Sequence, residues 1–109
     1  MSILFINACV RKNSRTLVLA KSILKNLQGD ITEINLNTEN ICPLNRELLE
    51  KREQLIGMGN MDDDMFKYAT QFAEADEIVV AAPFWDLSFP SILKIYIEQI
   101  TVSGIRLYI

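Results

Sequence analysis

Two short apolar runs, a third that alternates, and helix-like stretches between them predict an α/β layered fold on a parallel sheet. Ile3-Leu4-Phe5-Ile6 and Ile78-Val79-Val80-Ala81-Ala82 lack polar alternation, as strands buried on both faces do. Between them apolar residues recur at spacings of three and four, so the order reads βαβ, a helical excursion, β, then α. In such sheets ligands sit at the carboxyl ends of the strands.

Asn7 to Asn13 is polar and breaks the first strand. The first helix follows, with Leu17, Ala20, Leu24 and Leu27 on one face, Asn13 or Ser14 as its cap and Gly29 as its C-terminal stop. Ile31 to Leu36 alternates apolar and polar residues, the pattern of a half-buried strand. A loop from Asn37 to Pro43 leads to a helix over Arg46–Ile56, punctuated by Gly57-Met58-Gly59-Asn60. Asp62-Asp63-Asp64 favours the positive end of the next helix, whose expected buried face is Met65, Phe66, Ala69, Phe72 and Ala73. Ile78–Ala82 is the third strand and Pro83 ends it. The last helix runs from Pro90 or Ser91 to about Thr101, with Ile92, Leu93, Tyr96, Ile97 and Ile100 on or near one face.

A chain of 109 residues has room for a single domain with a single core, and half of it is hydrophobic, which is globular rather than disordered composition. The formal charge of -3 argues against a nucleic-acid footprint. Two cysteines are too few for a disulfide scaffold, and without histidine a Cys/His zinc site is excluded. The N-terminus has no charged secretory region, and the longest apolar run, Ile78 to Trp85, falls far short of the roughly 20 residues that span a bilayer. These readings predict a reduced, cytoplasmic protein with no membrane partner.

Two segments fall at carboxyl ends of strands. Asn7–Thr16 joins the first strand to a helix start, where unpaired amides and the helix dipole favour an anion. Asn13, Ser14 and Thr16 add polar donors, and Arg11 and Arg15 add charge. That combination suits a phosphate; it equally suits a capped helix with solvated basic residues. Pro83–Pro90 sets Phe84, Trp85 and Phe89 around a few polar groups. It suits a flat conjugated ring, or else core capping or a dimer contact.

The wording of both loops goes further. The first resembles the I-N-G-S-P-R-K-N-S-x-T phrase of flavodoxin-like FMN reductases. Ile6-Asn7, Arg11-Lys12-Asn13-Ser14 and Thr16 match, while Ala8, Cys9 and Val10 replace the usual Gly, Ser and Pro. The second, Ala82-Pro83-Phe84-Trp85-Asp86-Leu87-Ser88-Phe89-Pro90 with Leu93-Lys94 and Tyr96, is similar to the A-P-[MYF]-[YW]-[ND]-[FL] segment and its L-K-x-Y sequel in FMN-dependent NADH:quinone and azo reductases. Ala75-Asp76-Glu77-Ile78-Val79 also fits that family's A-D-x-I-V pattern.

The resemblance implies a flavodoxin-like three-layer αβα domain with a parallel sheet. Its FMN would be held by Cys9, Arg11, Asn13, Ser14, Arg15 and Thr16 in the first loop, and by Pro83, Phe84, Trp85, Asp86 and Leu87 in the second. NADH or NADPH would donate electrons to the flavin, a quinone, azo or similar small molecule would accept them, and no side chain need be a catalytic base. It also implies a homodimer through the last helix. Members of the family continue with further strands, helices and another FMN loop, so the chain reads as the N-terminal part of such a domain, stopping after the third strand and its helix. That expectation leaves the third strand as an exposed apolar edge. Gly104-Ile105 fits the family's G-[IV]-T-F-x-Y phrase, but the residues after it do not.

Two alternatives stand beside this reading. One is a flavodoxin-like half-domain without catalysis. The other uses the five-residue spacing between Cys9 and Arg15, followed by Thr16, which resembles the nucleophile loop of low-molecular-weight tyrosine phosphatases. Against it, the loop has no Gly and the chain no Asp-Pro general acid.

Overall fold

The computed structural model describes residues 1–84 and 88–102. Trp85, Asp86 and Leu87, and the Gly104-Ile105 phrase, lie outside the described residues. β1 (Ser2–Asn7) is the middle of a three-stranded sheet, flanked by β2 (Asp30–Asn35) and β3 (Glu77–Ala81), both parallel to it. Ser2 lies opposite Asp30, and Ile3 opposite Glu77.

Strand alternation divides the apolar residues of β1 between two faces. Leu4 and Ile6, with Ile34 and Leu36, pack against Tyr68, Leu93, Tyr96 and Ile100. Ile3 and Phe5 point the other way, onto Ala20 and Leu24. Helices therefore cover both faces, giving three layers: α1 (Arg15–Lys25) on one side, α3 (Lys67–Glu74) and α4 (Ser91–Ile100) on the other. α2 (Arg46–Gly57) sends Leu55 and Ile56 against a small cluster of Phe66, Ala69 and Val102. Its Arg52 guanidinium donates to the carbonyls of Glu98 and Thr101 at the negative end of α4.

The caps follow the sequence at three helix starts. Ser14 Oγ accepts from the Leu17 N–H, Asn45 Oδ1 from Leu48, and Asp63 Oδ1 from Met65. Gly29 is not the stop of α1. The helix closes at Asn26 in right-handed geometry, its N–H donating to Ile23 and Leu24 carbonyls. Gly29 instead has φ of 145° and passes so close to the Met1 carbonyl that a Cβ would collide with it.

Two further details depart from the pattern. Ile31 of β2 is 45% exposed because the α1-side cluster draws on β1 and β3 and not on β2. α3 buries Tyr68 and Ala69 and leaves Ala73 exposed. It starts from a tighter 3-10 turn, Asp64–Phe66. As expected, β3 has no neighbouring strand on its outer side among the described residues, and Val80 there is 49% exposed. Among the described residues no helix is long and apolar enough to cross a membrane.

The start of β3 is tied to the start of β1 by a carboxylate. Asp76 Oδ2 accepts from both the backbone N–H and the hydroxyl of Ser2, at 2.8 and 3.2 Å. Those bonds, the backbone one first, hold the Asp76 carboxyl below its usual range. A depressed carboxylate stabilises the fold above its unfolded pKa and loses that contribution as pH falls through the folded value. Asp76→Asn is therefore expected to flatten the acid limb of stability below about pH 4, read from urea midpoints across a pH series.

Tyr96 is 1% exposed, and among the described residues its hydroxyl has no hydrogen-bond partner. Its ring stacks edge-on against Tyr68, with centroids 5.9 Å apart. Burial pushes the phenol well above its ordinary pKa, with Tyr68 adding to the effect. An orphaned buried hydroxyl costs about 1–3 kcal/mol, so Tyr96→Phe is expected to stabilise the chain by about 1 kcal/mol. A rise in thermal midpoint would register it.

Candidate functional site

Strand order β2-β1-β3 means that the chain leaves β1 in one direction and later returns to its other side. The loops after β1 and β3 therefore leave the carboxyl ends of adjacent strands, the end of the sheet at which open α/β folds bind ligands. The Ala81 carbonyl joins the two sides, accepting the Ala8 N–H at 2.8 Å and the Cys9 thiol at 3.6 Å. The residues read as phosphate-binding and those read as ring-binding thus leave adjacent strands at one end of the sheet.

The first loop is braced from inside. Asn7 is buried, and its Oδ1 accepts the Cys9 N–H at 3.0 Å. Asn37, just past β2, donates its side-chain amide to the Cys9 carbonyl at 2.8 Å. Reading the sequence for function passed over Asn37. It sits in a polar stretch like any loop, and its contact spans 28 residues. Cys9 is 5% exposed. Its thiol, N–H and carbonyl are all engaged with the fold, so it packs as a small apolar residue rather than presenting a nucleophile to solvent.

The outward side of the loop has a different character. Arg11, Lys12, Asn13 and Arg15 are exposed, and Ser14 and Thr16 half-buried. Ser14 uses its hydroxyl on the Leu17 N–H and its own N–H on the Arg11 carbonyl, fixing where α1 begins. The amides of Arg15 and Thr16 in the first helical turn have no intrahelical acceptor. No acidic residue stands in the first turn of α1. Amides, dipole and basic side chains together make an anion-accepting surface.

The second loop supplies apolar surface. Pro83 is half-buried; Phe84 and Phe89 are 64% and 55% exposed and meet edge-to-face with centroids 5.4 Å apart. Aromatic side chains this exposed form a wall with one face unoccupied by protein. A cavity of about 340 Å³ adjoins it, lined by Phe89, Ser91, Leu93 and Lys94 among others. Another, of about 280 Å³ between α2 and α3, includes no residue of either loop. Among the described residues no three His, Cys, Asp or Glu side chains cluster closely enough to hold a metal ion.

Comparison with known proteins gives a consistent picture. The profile of a family described as having a flavodoxin-like fold matches residues 1–108. An FMN-dependent NADH:quinone oxidoreductase of Clostridium acetobutylicum is 42% identical over 97 residues, covering 84% of this chain and 48% of that protein. One from Clostridium perfringens is 37% identical, covering 94% of this chain and 56% of its own length. The chain thus spans about half the length of the curated relatives it matches. Among solved structures, an azoreductase from Bacillus anthracis superposes with a TM-score of 0.82 at 22% identity, over 96% of this chain and 57% of that one. An FMN-dependent NADH-azoreductase from the same species, in complex with FMN, gives 0.78 at 23% identity, over 96% and 58%. At that identity the likeness is one of fold.

Proposed function

The chain belongs to the flavodoxin-like fold family, and from that premise we propose that it forms part of the flavin site of an FMN-dependent oxidoreductase. It would contribute the phosphate loop and one wall of the ring site. The observation that supports this reading is the pair of hydrogen bonds that the Ala81 carbonyl accepts from Ala8 and Cys9, which ties the first loop to the end of β3 where the aromatic residues follow. FMN is a phosphate joined to a flat conjugated ring, and the two surfaces match its two ends. Arg11, Asn13, Ser14, Arg15 and Thr16 are proposed to hold the phosphate, with Cys9 shaping the loop from within. Pro83 and Phe84 are proposed to border the ring, with Trp85, Asp86 and Leu87 extending that border.

When bound, FMN would supply the redox chemistry, taking a hydride from NADH and passing two electrons to a quinone or azo acceptor. The work left to these residues is binding, orientation and exclusion of water, and none need act as a general base. NADH is favoured over NADPH because the relatives' names specify it. A cytoplasmic setting and a homodimer through α4 belong to the same proposal. A second reading, a non-catalytic half-domain that binds FMN weakly or not at all, is favoured by the outer edge of β3, which has no neighbouring strand among the described residues.

Titration of the purified chain with FMN, followed by flavin absorbance and then by NADH oxidation with a soluble benzoquinone, separates the readings. Saturable binding that weakens roughly tenfold or more in Arg15→Glu is the expected result. Weak or absent flavin binding, or bound flavin without NADH oxidation, would select the half-domain and remove catalysis by this chain alone.

A further inference from the structure

We propose that Asn37 is a positioning residue of the anion-accepting loop, and that the group it aims is the Val10 N–H, an additional donor to a phosphate monoester. The inference deepens the proposed flavin site and rests on that reading. Of the amides that follow β1, Ala8 donates to the Ala81 carbonyl and Cys9 to Asn7 Oδ1. Val10 is next, and its N–H has no acceptor among the described residues. The Val10 side chain is 53% exposed, so core packing does not dictate how this peptide is turned.

Asn37 turns it. A trans peptide unit is planar, with its C=O and the following N–H directed oppositely, and no described bond is cis. The Asn37 side-chain amide donates to the Cys9 carbonyl at 2.8 Å and holds that oxygen toward the end of β2. The Val10 N–H, at the other end of the same unit, therefore faces away from Asn37. Asn37 is itself fixed, because Asn35 Oδ1 accepts its backbone N–H at 3.0 Å and its side-chain amide at 3.4 Å. Asn35 lies opposite Asn7 in the sheet, and the Asn7 carbonyl accepts the Leu36 N–H. Three asparagines at the ends of β1 and β2 thus set one peptide plane. An unspent N–H on a loop that also carries exposed Arg11 and Arg15 takes an anion as its acceptor. Val10 stands where the FMN-reductase phrase has Pro, which has no N–H, so this donor is particular to the present chain.

The test follows amide resonances of the isotope-labelled chain during titration with inorganic phosphate, FMN and riboflavin. It uses the parent, Asn37→Ala, Val10→Pro and the double variant, with circular dichroism to check that each is folded; both side chains are exposed. In the parent, phosphate and FMN are expected to shift the Val10 amide and riboflavin to leave it in place. Each single substitution is expected to weaken phosphate and FMN roughly fivefold or more and to leave riboflavin unchanged. The double variant should be no weaker than Val10→Pro, because Asn37 acts through that one donor. A merely structural Asn37 would weaken FMN and riboflavin alike. Three outcomes would overturn the proposal: a parent Val10 amide indifferent to phosphate and FMN, equal losses for the two flavins, or additive losses in the double variant. Shifts at Arg15 and Thr16 with FMN while Val10 stays still would remove this inference and leave the flavin site. A Val10 amide that responds to phosphate in a chain that takes no FMN would keep the donor and remove the flavin reading.

Discussion

Replacing Phe5 with alanine is expected to lower unfolding free energy by about 3–5 kcal/mol, the range for emptying a well-packed aromatic site. Phe5 is 1% exposed in the middle of the central strand, and it holds the α1-side cluster together with Ile3, Ala20 and Leu24. Only α1 covers that face among the described elements, so little neighbouring structure is available to collapse into the cavity. Total stabilities of small domains are about 5–15 kcal/mol, and a sheet of three strands lies at the lower end. The variant should therefore lose its cooperative urea transition, or keep one displaced to much lower denaturant. A midpoint close to that of the parent would mean that α1 does not pack as described.

Gly29→Ala is the second large effect, expected at about 2 kcal/mol or more. The residue combines a φ of 145° with close approach to the Met1 carbonyl, which itself accepts the Asp30 N–H at 2.9 Å. Both the backbone conformation and the space exclude a Cβ, and relieving either disturbs the pairing of Ser2 with Asp30 at the start of the sheet. Urea denaturation again measures it. Gly59 also has positive φ, but a Cβ there meets nothing within 4 Å, so Gly59→Ala should cost less.

The contrast at Gly29 shows what a sequence can and cannot reveal. A glycine two residues after a helical stripe reads as a helix stop because that is the local reason for glycine. The actual reason is a chain end packed against it, and no local pattern encodes that. The strands and α-helices among the described residues were legible because their apolar spacing is set by burial on nearby faces, as with Leu4 and Ile6 against α4 and Phe5 against α1. The exposure of Ile31 was hidden by the lateral placement of α1. The same division holds at the site. Hydroxyl-rich and basic residues before a helix, and aromatics after a buried strand, stand in the sequence. The inward engagement of Cys9 depends on Ala81, 72 residues away, and on Asn37. A Cys followed by Arg at phosphatase spacing looked the same on paper whether its thiol faced solvent or the sheet.

The central claim is that an anion-accepting helix start and an aromatic wall lie at the same end of the sheet and together take FMN. The most direct measurement is a pair of NMR titrations of the isotope-labelled chain, one with FMN and one with riboflavin, which lacks the phosphate. FMN is expected to shift the amides of Arg15 and Thr16 together with the resonances of Phe84 and Phe89. Riboflavin should shift only the aromatic set, and more weakly. Equal responses to the two ligands, or shifts confined to other parts of the sheet, would contradict the account.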